Sequence, residues 1–228
     1  MFEKLLSSIG IGSAKVNTLF FEETIVRGSD VKGEIHIFGG KAEQIISEIY
    51  VHIDTEFHKY DEDMTELRDI TEPILEIKIM DPMTIKPNEE KVIPFTIHLP
   101  HYIPTTFREQ QIHLQTELNI NVFTHPVETH DFVVRDPFID KTLQYLEENG
   151  FEHSVKSGLC RYQIPTVTNP THCLQTFELA NEDGVKLSFV GNAVDLDLYV
   201  SKEGDILHHK VVREKDVASQ LAGVITAN

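Results

Sequence analysis

The stretch QIHLQTELNINV, residues 111–122, decides the fold class. Ile112, Leu114, Leu118, Ile120 and Val122 share one parity, with Thr116 between them. Gln111, His113, Gln115, Glu117, Asn119 and Asn121 take the other. A period of two turns alternate side chains to opposite faces, so this is a long half-buried strand with one wet face. Upstream, Ile93, Phe95, Ile97 and Leu99 oppose Pro94, Thr96 and His98, and Leu75, Ile77 and Ile79 oppose Glu76 and Lys78. Ile45, Ile49, Val51 and Ile53 read as one face of a further strand, with Ser47 among them. Val31, Ile35 and Ile37 form another strand, stopped by Gly39-Gly40. No helix of crossover length intervenes, which favours an antiparallel sandwich over a parallel sheet.

Downstream the period changes once. Asp136 can cap a helix, Pro137 suits its first turn and Gly150 supplies the stop, with Ile139, Leu143 and Leu146 as its apolar stripe. Alternation then returns. Phe177 and Leu179 precede the turn Asn181-Glu182-Asp183-Gly184, followed by Val185, Leu187 and Phe189, then Val194, Leu196, Leu198 and Val200. The expected organisation is a sandwich over residues 1–136, a linker helix over 137–150 and a reduced second sandwich over 151–228. The last segment has only 78 residues, against about 100 for a full immunoglobulin-type sandwich. A fragment ending at Gly150 is expected to fold alone. The tail beyond Lys215 has Val217, Leu221, Val224 and Ile225 at helical spacing.

Twenty Lys+Arg against 37 Asp+Glu give the 228-residue chain a net charge of −17. Residues 1–136 carry −12 of it and the remainder −5. Phosphate backbones and anionic bilayers repel such a chain, so neither nucleic acid nor a lipid headgroup is an expected partner. Cys160 and Cys173 are too few for a disulfide framework and are read as buried inert thiols. The opening MFEKLLSSIGIGSAKV is a poor signal peptide, and no stretch approaches the roughly 18 apolar residues of a membrane span. A cytoplasmic location is expected. Phe2, Leu5, Leu6 and Ile9 have amphipathic helical spacing. Packing on the protein's own sandwich, or on a dimer mate, accounts for them better than lipid does.

The polar clusters are read against solvation. His208-His209 point to opposite faces of a strand, and His125 and His130 need a folded loop to share one ion. His36, His52, His98 and His113 fall on wet faces. Asp61–Glu72 places oxygen side chains at calcium-loop positions 1, 3, 5, 9 and 12, but Glu66 stands where the turn needs glycine. A solvated connection is the better account. Asp195 and Asp197 lie on one strand face, read as exposed. No G-x-S-x-G, H-E-x-x-H, C-x-x-C or glycine-rich phosphate loop occurs. No catalytic, cofactor-binding or metal residue is assigned.

Three stretches, IGIGSAKVNT (9–18), VKGEIHIFGGKAEQII (31–46) and FTIHLPHYIPTTF (95–107), resemble the bacterial sporulation-control proteins, a family of the arrestin-like proteins. The paired glycines and the Pro100/Pro104 segment are its most specific marks. The resemblance implies an all-β chain of two tandem arrestin-like, immunoglobulin-like sandwich lobes. It also implies a non-catalytic cytoplasmic regulator or adaptor that binds other proteins; a homodimer is a separate expectation, from the apolar spacing of Phe2–Ile9. Eukaryotic arrestins add a buried ionic core and a tail switch, which no residue here can be matched to and which is not carried over. The competing expectation is a metal- or calcium-binding sandwich module, or an unrecognised metal-dependent enzyme.

Overall fold

The computed structural model describes residues 13–60, 67–120 and 126–225. The amphipathic pattern Phe2–Ile9, the segment Asp61–Glu66 and His125 lie outside the described residues.

Two antiparallel sheets form the first lobe. Lys15–Phe20, Asp30–Phe38 and Glu90–His98 make the smaller one, with Asp30–Phe38 in the middle. In the larger, Glu48–Tyr60 lies between Ile112–Asn119 and Leu67–Met80, and Val127–Asp131 follows Ile112–Asn119 outward. The inward faces close on one another. Val16, Ile35, Ile37 and Phe95 from one sheet share a core with Val51, Ile53, Leu114 and Leu118 from the other. Ile112–Asn119 alternates buried and half-buried at every residue, as its period of two requires. Thr116 sits on the buried parity and is satisfied by the Thr18 hydroxyl at 2.7 Å.

Residues 45–53 depart from the expected parity. Ile45 is exposed and Ile46 is fully buried. A break at Ser47 separates a short strand, Gln44–Ile46, which pairs with Met83–Ile85, from Glu48–Tyr60. The amide and hydroxyl of Ser47 both bond the Asn119 carbonyl, which interrupts the ladder and shifts the alternation by one residue.

The linker helix spans Pro137–Glu148. Asp136 caps it by accepting from the Phe138 and Ile139 amides, and Gly150 follows with φ +83°. Its stripe of Ile139, Leu143 and Leu146 packs on a five-stranded antiparallel sheet. That sheet runs in spatial order Glu152–His153, Phe177–Ala180, Lys186–Gly191, Asp195–Lys202, Asp205–Val212. A second helix, Val217–Ile225, adds Val217 and Leu221 to the same core. The second lobe is thus reduced to one sheet, and helices, not strands, supply its other layer.

One grouping in space departs from chain order. Cys160–Tyr162 and Cys173–Gln175 follow the linker helix, yet they form a hairpin added to the first lobe's larger sheet, with Arg161 opposite His58. Cys160 and Cys173 belong to the first lobe's core and are joined as a disulfide. This corrects their reading as free thiols. Two cysteines do not make a framework, but a hairpin needs only two to be cross-linked.

Candidate functional site

The lobes meet at a buried ionic cluster. Thr24–Val26 and Val133–Arg135 pair in parallel, so the residues that follow them, Arg27 and Asp136, emerge side by side. The Arg27 amide donates to the Arg135 carbonyl. From the second lobe, Arg213 leaves the edge strand Asp205–Val212 and completes the group. Arg27 Nε donates to Asp136 Oδ2 at 2.7 Å, while Arg213 Nη1 and Nη2 grip Oδ1 and Oδ2 at 2.9 and 2.7 Å. Arg27 is also held through Nη1 by the Ile103 carbonyl, and Arg213 through Nε by the Asn192 carbonyl. One carboxylate therefore receives two guanidinium groups and two helix amides.

The electrostatics follow from burial. The Asp136 side chain is 2 % exposed and that of Arg27 3 %. Burial alone would raise the Asp136 pKa; hydrogen bonds from Arg213 and the charge of Arg27 outweigh it and hold the carboxyl well below the usual range. Burial likewise pushes Arg27 down, and the charge of Asp136 opposes it. Arg27 Nη2 is buried with no hydrogen-bond partner, beside Gly191, where a Cβ would meet it at 2.6 Å. The Arg213 end is the more open one, at 16 % exposure. There the guanidinium lies over the Phe138 ring and lines a groove with Lys141, Tyr145 and Asp216, between the two helices.

Asp136 was legible only as a helix cap. Nothing in the local sequence links it to Arg27, 109 positions away, or to Arg213, 77 positions away. The packing of three chain segments brings together an ionic cluster that no local pattern shows. The same holds for Asp195, which is buried, accepts from Asn192 and pairs with Lys210 at 3.0 Å. Asp197 pairs with His208 at 2.8 Å across the neighbouring strand. These partners come from strand pairing, not from spacing within one strand.

The histidines of the wet faces also have carboxylate partners: His36 with Glu34 and Glu90, His98 with Asp30, and His113 with Asp131. His208 and His209 lie on opposite faces, opposite Tyr199 and Leu198. Among the described residues, no group of three or more His, Cys, Asp or Glu is placed to hold a metal ion. Glu72, last of the calcium-loop pattern, instead meets His172 at 2.9 Å.

A relay that motif searching missed runs from Ser157 through His153 to Glu147. His153 Nδ1 lies 2.8 Å from Ser157 Oγ and Nε2 lies 3.0 Å from Glu147 Oε1. Glu147 can only accept, so Nε2 carries the proton and Nδ1 accepts from the hydroxyl. Burial lowers the His153 pKa and favours that neutral form. The order is that of a nucleophile triad. Ser157, however, is 1 % exposed and its oxygen already takes the Glu178 amide. A substrate carbonyl has no approach, and the relay pins the turn after the linker helix.

Residues 2–207 match the family described as SpoOM protein. The sporulation-control protein spo0M of Bacillus subtilis (strain 168) is 33 % identical over 185 residues, which cover 80 % of this chain and 69 % of that protein. The crystal structure of Spo0M from Bacillus subtilis superposes with a TM-score of 0.80 at 22 % identity, covering 95 % of this chain and 98 % of that one, and shares its arrestin-like fold. No described helix is long and apolar enough to cross a membrane. The matched span takes in the first lobe, the linker helix and the second lobe as far as the start of its last strand, and the chain belongs to the SpoOM protein family.

Proposed function

We propose that this protein is a non-catalytic cytoplasmic regulator that acts by contact with other proteins, and that the Arg27–Asp136–Arg213 cluster is the joint setting how its two lobes are presented. The family relationship to a sporulation-control protein supports the regulatory part. The cluster carries the rest: one carboxylate ties a first-lobe turn, the linker helix and the second lobe's edge strand. Removing one partner strands the others as uncompensated buried charge, so the three segments are coupled through this carboxylate. A net charge of −17 favours basic partner surfaces and makes their association salt-sensitive.

The test is crosslinking capture from the native cell, with wild type and Asp136→Asn compared across a salt series. Specific proteins retained by wild type, released by salt and altered in the variant are expected. A variant that is folded by circular dichroism yet retrieves the same proteins equally would remove the joint from the account. No capture above background would remove the adaptor reading. Elemental analysis after dialysis bears on the competing metal-binding reading, which a stoichiometric ion would favour.

A further inference from the structure

We propose that the Cys160–Cys173 disulfide is a reversible redox clasp, whose state reaches the Arg27–Asp136–Arg213 cluster through Gln175 and the segment Ile103–Thr105. The inference rests on reading that cluster as the regulatory joint.

The clasp sits at the base of a hairpin whose hold on the sheet is slight in backbone and rich in side chains. Its described strand pairing to Glu48–Tyr60 is the single step Arg161 opposite His58. Otherwise Tyr162 stacks on Phe57, His172 meets Glu72, and the Cys160 amide donates to Gln110 Oε1 at 2.6 Å. Both sulfurs are buried, but the loop between the strands is not. Ile164 is 80 % exposed and Val167 is fully exposed. Peeling the hairpin outward uncovers the sulfurs and the Phe57 ring, while Ile164 and Val167 give up no burial in the process.

The relay is a chain of hydrogen bonds. Gln175 stands opposite Cys160 in the hairpin and two residues beyond Cys173, on the same face. Its Nε2 donates to the carbonyls of Thr105 and Gly158, both at 2.8 Å, and its Oε1 accepts from the Thr105 amide and hydroxyl. Two residues back, the Ile103 carbonyl accepts from Arg27 Nη1 at 3.0 Å. Ile103–Thr105 is buried throughout and Pro104 fixes one of its dihedrals. The segment is tied at one end to the clasp and at the other to the joint, with little freedom to absorb a shift between them.

The chemistry is thiol–disulfide exchange with a dithiol reductant. Its thiolate attacks one sulfur, the Cys160–Cys173 bond breaks and a mixed disulfide forms. The reductant's second thiol then displaces the protein sulfur. Two electrons and two protons end on Cys160 and Cys173, and the reductant leaves as its own disulfide. In the reducing compartment of the proposed function, a disulfide is transient and redox-sensing more often than it is a brace.

The full chain, labelled with ¹⁵N arginine, is compared air-oxidised and after dithiothreitol. Hydrogen exchange is read by mass over residues 158–176 and by NMR at Arg27 Nε–H. Reduction should free two alkylatable thiols, speed exchange in the hairpin roughly a hundredfold and speed it at Arg27 about tenfold. In Gln175→Met the hairpin should still respond while Arg27 does not. A chain that forms no disulfide in any glutathione redox buffer overturns the clasp. An Arg27 signal unmoved by reduction in wild type, or moved equally in Gln175→Met, overturns the relay. Should Gln175→Met not fold, the paired change Cys160→Ser with Cys173→Ser must reproduce the reduced wild-type signal at Arg27, and failure to do so also overturns it. Capture by Asp136→Asn is scored separately, so loss of the relay and loss of the joint are distinguishable.

Discussion

At the scale of single residues, parity and charge make different demands. Leu118 is fully buried near the end of its strand, and Asn119, the last residue of that strand, lies on the half-buried opposite face. Leu118→Asp puts an unpaired charge in the core and should cost several kcal/mol, whereas Asn119→Asp, which sets a carboxylate beside the Glu48 that the Asn119 side chain hydrogen-bonds, should cost about 1 kcal/mol at most. Equal melting temperatures would refute the alternation. Asp136 poses a sharper case, because its folded pKa is depressed while the unfolded one is ordinary. A depressed carboxyl contributes its full stabilisation above the unfolded value, about 3.9, and loses it only as pH falls through the folded one. Asp136→Asn should therefore cost about 3–5 kcal/mol at neutral pH. The gap to wild type should be level from pH 8 to 5 and should close only in stronger acid. Denaturant melts at several pH values check this, and a gap that varies around neutrality would point to a histidine instead.

At the scale of elements, what was legible is what repeats locally. Ile112–Asn119, the meander from Phe177 to Lys202 and the helix between Asp136 and Gly150 each carry their own pattern, turn chemistry or cap. The hairpin at 160–175 does not. Its strands are three residues long, too short for a period, and its partner strand lies about a hundred residues upstream. What seats it is Gln110, which donates through Nε2 to Thr55 Oγ1 and the Glu56 carbonyl and accepts the Cys160 amide. Removing that amide leaves the Cys160 amide and the Glu56 carbonyl without this partner, while Thr55 Oγ1 keeps its bond to the Gln111 carbonyl. Gln110→Ala should lower stability by about 2–4 kcal/mol and should raise protease sensitivity between residues 163 and 172 before elsewhere. A variant that melts lower but is nicked no sooner there would show that Gln110 braces the sheet and not the hairpin.

For the whole molecule, the boundary between lobes is where sequence reasoning reached least far, because chain order and spatial order part company. Alternation fails at Asp136 and resumes after Gly150, so the chain reads as two consecutive units. The structure instead returns residues 160–175 to the first lobe across the linker helix. A fragment ending at Gly150 would then lose the groups that satisfy Thr105 and Gln110, together with Cys160 and Cys173 from the core. It would also expose the helix stripe of Ile139, Leu143 and Leu146, so the comparison needs those three changed to serine in every fragment. With that done, residues 1–150 should unfold in urea without a sharp transition. Residues 1–176, which restore the hairpin, should unfold cooperatively, with a slope in proportion to the surface that one sandwich exposes. Reduction should lower the midpoint of the longer fragment and leave the shorter one, which has no cysteine, unchanged. If both fragments unfold with the same sharp transition, the first lobe is complete at Gly150, and the hairpin only decorates its edge.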